Sequence, residues 1–125
     1  MKYYIKCLKL YASFNGRARR KEYWMFVLFY VLFLIAIILL EYGILKLNLG
    51  YNTIIPTNGG GQGILNGLYF LAMILPGIAV SVRRMHDLGK SGWYILIPFY
   101  NIILTLVDGE KNANKYGEDP KSEKL

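Results

Sequence analysis

His86 and Asp87 are adjacent, and an imidazole next to a carboxylate is the raw material of general acid–base chemistry. They lie in the stretch SVRRMHDLGKSGW, residues 81–93, together with Arg83, Arg84 and Lys90. On a helix, neighbouring side chains diverge by about 100°, so His86 and Asp87 need a third group and a pocket before they amount to a catalytic pair. The arginines and the lysine suit a different chemistry, the binding of anionic groups such as lipid headgroups or acidic side chains of a partner. Nothing else in the chain extends the catalytic option. There is no phosphate-binding glycine loop, no nucleophile elbow and no metal-ligand spacing. Cys7 is the sole cysteine and His86 the sole histidine, which excludes an internal disulfide and leaves a thiolate metal centre without ligands. No catalytic residue, metal or cofactor is therefore expected.

What must position these residues is a membrane protein. Hydrophobic residues make up 54% of the 125 and charged ones 18%, too little polar surface to cover a water-soluble domain of this length. Eleven Tyr, six Phe and two Trp fit a chain with two lipid–water interfaces. Eighteen uncharged residues run from Tyr23 to Leu40, and with the apolar pattern resuming after Glu41 they predict a first span over 23–45. The run is too long, and followed by no small-residue cleavage site, to be a signal peptide. Ahead of it, residues 1–15 predict an amphipathic interfacial helix, with Tyr4, Cys7, Leu8, Tyr11 and Phe14 on one face and Lys2, Lys6 and Lys9 on the other.

Residues 47–63 hold Gly and Pro and no charge, and read as a flexible loop. A second span is predicted over 64–88, bent at Pro76-Gly77. The last apolar stretch, within 91–107, reaches only about 22 Å as a helix and contains Pro98. It either crosses with local thinning of the bilayer or enters and returns; a short third span forming a tight hairpin with the second is the expectation, followed by a polar tail over 108–125. Basic residues precede the first span and follow the second while the 47–63 loop has none, which places the N-terminus in the cytoplasm. Basic segments that each abut an apolar run argue for lipid headgroups and against nucleic acid.

Two charges stand where helices disfavour them. Asp87 lies in the last turn of the second span, at the negative end of the helix dipole, and Arg17, Arg19, Arg20 and Lys21 lie at the positive start of the first. Asp87 should be met by a cation, with Arg17 or Arg20 the first places to look, or by the start of the following helix, which Ser91 is placed to cap.

Three motifs carry a family resemblance: FNGRARRKEYW before the first span, RRMHDLGKSGW after the second, and NKYGEDP near the end. Together they resemble the DUF805 family of small bacterial inner-membrane proteins over essentially the whole chain. The resemblance falls on Gly16, Arg17, Arg20, Tyr23 and Trp24; on Arg84, His86, Asp87, Gly89, Ser91, Gly92 and Trp93; and on Asn114, Tyr116, Gly117, Asp119 and Pro120. Met85 stands where the family usually has Leu. The resemblance implies an integral inner-membrane location and no particular reaction.

The expectation is an all-α, multi-pass inner-membrane protein with an N-terminal interfacial helix and about three transmembrane helices. Arg17, Arg20, Arg84, His86, Asp87, Lys90 and Ser91 are expected to form a polar cluster, for binding or for structure, at the cytoplasmic face. Tyr23, Trp24 and Trp93 would set depth at the interface, and Asn114, Tyr116, Gly117, Asp119 and Pro120 form the tail motif. The expected role is non-catalytic, organising the membrane or binding anionic lipid, a partner protein or a second copy. An oligomeric transporter or channel subunit is the alternative, and a membrane enzyme using His86 and Asp87 a third.

Overall fold

The computed structural model describes residues 2–46 and 64–122. The 47–63 loop and the last three residues of the tail lie outside them. Among the described residues the fold is all-helical: α1 (Lys2–Lys9), α2 (Arg20–Lys46), α3 (Ile64–Asp87), a 3-10 helix (Gly92–Leu96) and α4 (Tyr100–Leu106). α2 and α3 are long and apolar enough to cross a bilayer. Their composition explains both helix and environment: α2 is apolar nearly all round, and its Ile, Leu, Phe and Val side chains remain largely exposed, as a surface meant for lipid requires.

What packing there is concentrates at one end of the helix pair. α1 lays Tyr4 and Cys7 against Ala18, Phe26 and Val80, with Leu8, Tyr23, Phe29 and Met73 around them. The Tyr4 ring sits 5.3–5.9 Å from the rings of Phe26, Phe29 and Phe33, so α1 is pinned along the first half of α2. Two polar links tie the long helices further along. Tyr69 donates to the Tyr30 carbonyl at 3.1 Å, and the buried Glu41 carboxylate accepts the Asn66 N–H at 3.1 Å in the first turn of α3. Glu41 thus satisfies one of the amide donors that a helix start leaves unpaired. Pro76 lies inside α3, and the Ser81 hydroxyl donates back to the Gly77 carbonyl at 2.7 Å.

The last apolar stretch departs from the single short span expected over 91–107. It breaks into the five-residue 3-10 helix and the seven-residue α4, the latter only about 10 Å long and far short of the hydrocarbon core. The break falls at Pro98-Phe99: proline disfavours a helical residue before it, and Phe99 takes a φ of 64°. Asn101 donates to the Ile95 carbonyl at 2.8 Å, folding α4 back toward the 3-10 helix. The 3-10 helix lies close against α3, because Gly92 brings its backbone to Val82; a Cβ there would sit 2.8 Å from a Val82 methyl.

Candidate functional site

α3 ends in a Schellman motif, with Gly89 in the left-handed region at φ 65°, its N–H on the His86 carbonyl and the Lys90 N–H on the Met85 carbonyl, both at 3.0 Å. The other carbonyls of this end are taken by distant segments. The Arg83 carbonyl accepts Ala18 N–H at 2.9 Å, the Asp87 carbonyl accepts Glu110 N–H at 2.8 Å, and the Asn114 amide reaches the His86 carbonyl at 3.0 Å. The helix end is therefore completed by the first motif on one side and the tail on the other.

At its centre is Asp87, 2% exposed. One carboxylate oxygen accepts Arg17 Nε at 3.0 Å and the other accepts Arg84 Nη1 in a close contact. Two cations thus answer the carboxylate that the dipole disfavours, one of them the Arg17 expected from sequence. Arg17 goes on to gather the tail: its terminal nitrogens donate to the carbonyls of Glu110 at 2.5 Å, Asn112 at 2.6 Å and Gly117 at 3.3 Å. Arg84, fully buried, bonds the Ala18 carbonyl at 3.5 Å and, more closely, that of Val107. The fit is tight enough to require glycine at 109, where a Cβ would lie 1.9 Å from the Asp87 carboxylate.

A second buried pair lies beside the first. Arg83 Nη1 donates to Glu22 at 2.9 Å, both side chains at most 2% exposed, with the Lys6 ammonium 3.7 Å from the other Glu22 oxygen. Arg83, one helical turn before Asp87, turns to α2 rather than to that carboxylate. The Cys7 thiol also faces Glu22, at 3.7 Å. Burial first, then the Glu22 carboxylate, push this thiol up to about 12. Maleimide is therefore expected to leave Cys7 unmodified in the folded protein at pH 7–9 and to react promptly once denaturant is added. Rapid labelling of the native protein would contradict this packing of α1.

His86 and Asp87 face different partners. The imidazole sits flat on Tyr116, ring centroids 3.9 Å apart, with Nδ1 3.2 Å from the Gly16 carbonyl. Asn114 and Gly117 exchange backbone hydrogen bonds at 3.0 Å, a tight turn that the Asn114 side chain reinforces by accepting Tyr116 N–H at 2.9 Å. Asp119 accepts the Lys121 N–H at 2.8 Å, and Pro120 is buried. Asn114, Tyr116 and Gly117 thus build this turn, and Asp119 holds the segment that follows it.

The remaining sequence-predicted residues lie outside the cluster. Arg20 makes an exposed pair with Asp108 at 3.2 Å, whose carboxyl that hydrogen bond, with Lys121 nearby, holds below the usual range. Lys90 lies over the Tyr94 ring at 5.6 Å. Ser91 precedes the 3-10 helix but makes no side-chain cap, since the Schellman turn already directs the chain. Tyr23 is packed into the core cluster, whereas Trp24 is partly exposed, its indole N–H on the Thr105 carbonyl at 3.3 Å, and Trp93 is 78% exposed. Ala18, Gly109 and Glu110 were not singled out from sequence. Ala18 and Glu110 act chiefly through backbone atoms and Gly109 through its missing side chain, which residue chemistry does not reveal, though the Glu110 carboxylate also accepts the Asn114 amide at 2.8 Å; the Asp-Gly step at 108–109 is the available turn signal.

The comparisons agree with this picture. The chain matches the family described as Protein of unknown function (DUF805) over residues 11–118. It is similar to Inner membrane protein YhaH of Escherichia coli (strain K12), 40% identical over 130 residues, 98% of this chain and 99% of that one. It is also similar to Inner membrane protein YhaI of the same strain, 41% identical over 128 residues and 97% of each chain. No solved structure matches. With the match reaching from Tyr11 to Glu118, through the segments that build the buried cluster and both long apolar helices, the chain belongs to the DUF805 family and is an inner-membrane protein.

Proposed function

We propose that this protein is a non-catalytic, two-pass component of the inner membrane that binds anionic lipid at its cytoplasmic face, with the Arg17–Arg84–Asp87 cluster as the clasp that builds that face. The observation that carries the reading is a groove of about 470 Å³ lined by Arg19, Arg20, Lys21, Trp24, Asp108 and Lys121, at the polar start of α2. Four cations and one carboxylate beside an interfacial tryptophan form a surface complementary to phosphodiester headgroups. Arg17 and Arg84 do not line it; they are buried, with Nε, Nη1 and Nη2 of Arg17 and both Nη of Arg84 on Asp87 or on backbone carbonyls.

The clasp also supports a topology. The chain leaves α3 at Asp87 and is back beside it at Glu110, so residues 88–110 begin and end at the same helix end. This favours re-entry over crossing, with both termini on the face that carries the basic residues, the cytoplasm by the positive-inside bias. A channel or transporter subunit is less well supported, because Asn101 and Glu41, the polar groups available to line a path, hold backbone groups of the protein itself.

The test is lipid affinity of the detergent-solubilised protein. At low salt, Arg19→Gln with Lys21→Gln should weaken phosphatidylglycerol binding roughly thirtyfold, about 1 kcal/mol for each cation, and leave phosphatidylcholine unaffected. Equal affinity of the unaltered protein for the two lipids would overturn the reading.

A further inference from the structure

A crevice of about 240 Å³ separates α2 from α3 below the basic end of the helix pair. Tyr23, Val27 and Tyr30 line it from α2, and Phe70, Ile74 and Gly77 are among its lining residues on α3. Gly77 leaves it open by having no side chain. Glycine in a helix interior costs up to about 1 kcal/mol relative to alanine. No close approach demands it here, since a Cβ would meet only the Phe26 ring, at an ordinary 3.9 Å. The space is accessible from the lipid: Phe70 and Ile74, on its α3 wall, are 54% and 40% exposed.

Length and position narrow the occupant. On α3 the lining runs from Phe70 to Ser81, about 16 Å at roughly 1.5 Å per residue, which is one half of the roughly 30 Å hydrocarbon core. A spanning helix of a second copy would run through both halves, whereas a single acyl chain occupies one. The upper end of the crevice adjoins the basic groove. Arg20, Tyr23, Val27 and Tyr30 recur at three- and four-residue spacing and share one face of α2. Arg20, which lines the groove, therefore stands one turn above the crevice on the same stripe. Trp24 of the groove and Tyr23 of the crevice meet edge to face, ring centroids 5.6 Å apart. Inside a bilayer no water is displaced by entering the crevice, so what favours it over bulk lipid is dispersion contact on several sides of the chain. We propose, building on the lipid reading above, that the crevice seats one acyl chain of an anionic phospholipid whose headgroup lies in the Arg19–Lys21 groove.

The experiment places the full chain in phosphatidylcholine vesicles with a trace of phosphatidylglycerol that carries a photoreactive group midway along one acyl chain, and maps the adducts by mass spectrometry. Val27, Tyr30, Phe70 and Ile74 should take up at least about five times the label of Leu28 and Leu32, exposed on the opposite side of α2, a preference of roughly 1 kcal/mol. The same chain carried on phosphatidylcholine should show no such enrichment. Gly77→Leu fills the crevice from a backbone that is already helical. It should abolish the enrichment and leave the affinity ratio of phosphatidylglycerol to phosphatidylcholine in detergent unchanged. Ile74→Trp, which narrows the mouth, should do the same if the Gly77 variant does not fold. A preserved affinity ratio with adducts spread evenly over the exposed residues would overturn the proposal and leave the lipid reading standing. Equal affinity for the two lipids would remove the lipid reading and this proposal with it. An unlabelled crevice, with disulfide-linked dimers formed by Val27→Cys on oxidation, would assign the crevice to a second copy and overturn the proposal as well.

Discussion

Replacing Asp87 by alanine is expected to destabilise the folded protein by about 3–5 kcal/mol, the range found when one partner of a buried ion pair is removed. The size follows from what remains. Arg84 is fully buried and Arg17 nearly so, and both direct an N–H at this carboxylate. Without it two guanidiniums share a water-poor pocket with no counter-charge. Asp87→Asn keeps a carbonyl oxygen for one arginine and loses the charge, so it should fall between alanine and the unaltered protein. Denaturant unfolding in mild detergent micelles, followed by helical circular dichroism, measures both. A loss below about 1 kcal/mol for alanine would place Asp87 among exposed surface pairs and contradict its burial.

Arg17→Lys should separate the tail from the helices. Lysine keeps the charge and can still meet Asp87, but a single ammonium cannot span the carbonyls of Glu110, Asn112 and Gly117 as the planar guanidinium does. Hydrogen bonds to a charged group contribute about 1.5–3 kcal/mol each, so losing even one of the three should raise the open population of the tail at least tenfold. Limited proteolysis within residues 108–122 reads that population. The expected result is cleavage at least ten times faster with helical content unchanged. Cleavage at the unaltered rate would mean that contacts other than Arg17 hold the tail.

The fold was legible where composition decides structure and obscure where geometry does. The uncharged run from Tyr23 to Leu40 dictates a lipid-facing helix whatever the rest of the chain does, and α2 extends from Arg20 to Lys46 around it. The stretch after Gly92 is just as apolar, but Pro98 and the left-handed Phe99 interrupt it, and apolar content says nothing of direction. In the site, a helix-dipole argument identified Asp87 as needing a cation and pointed to Arg17, because that conflict is local and computable from spacing. It could not foresee that Arg83 and Arg84, adjacent in sequence, separate to Glu22 and Asp87. Nor could it foresee that Arg17 serves the tail through main-chain carbonyls, which every residue possesses and no residue type advertises.

With Glu110 N–H on the Asp87 carbonyl, the segment after α4 must return to the side on which α3 ends, which three simple crossings would not allow. A pair of fusions placed after Leu125 measures this directly, one reporter fluorescent only when folded in the cytoplasm and the other a phosphatase active only outside. The account predicts bright fluorescence and no phosphatase activity, with Arg17, Asp87 and the tail motif on one cytoplasmic face. Phosphatase activity without fluorescence would carry the tail across the membrane, separate it from Arg17 and contradict the account.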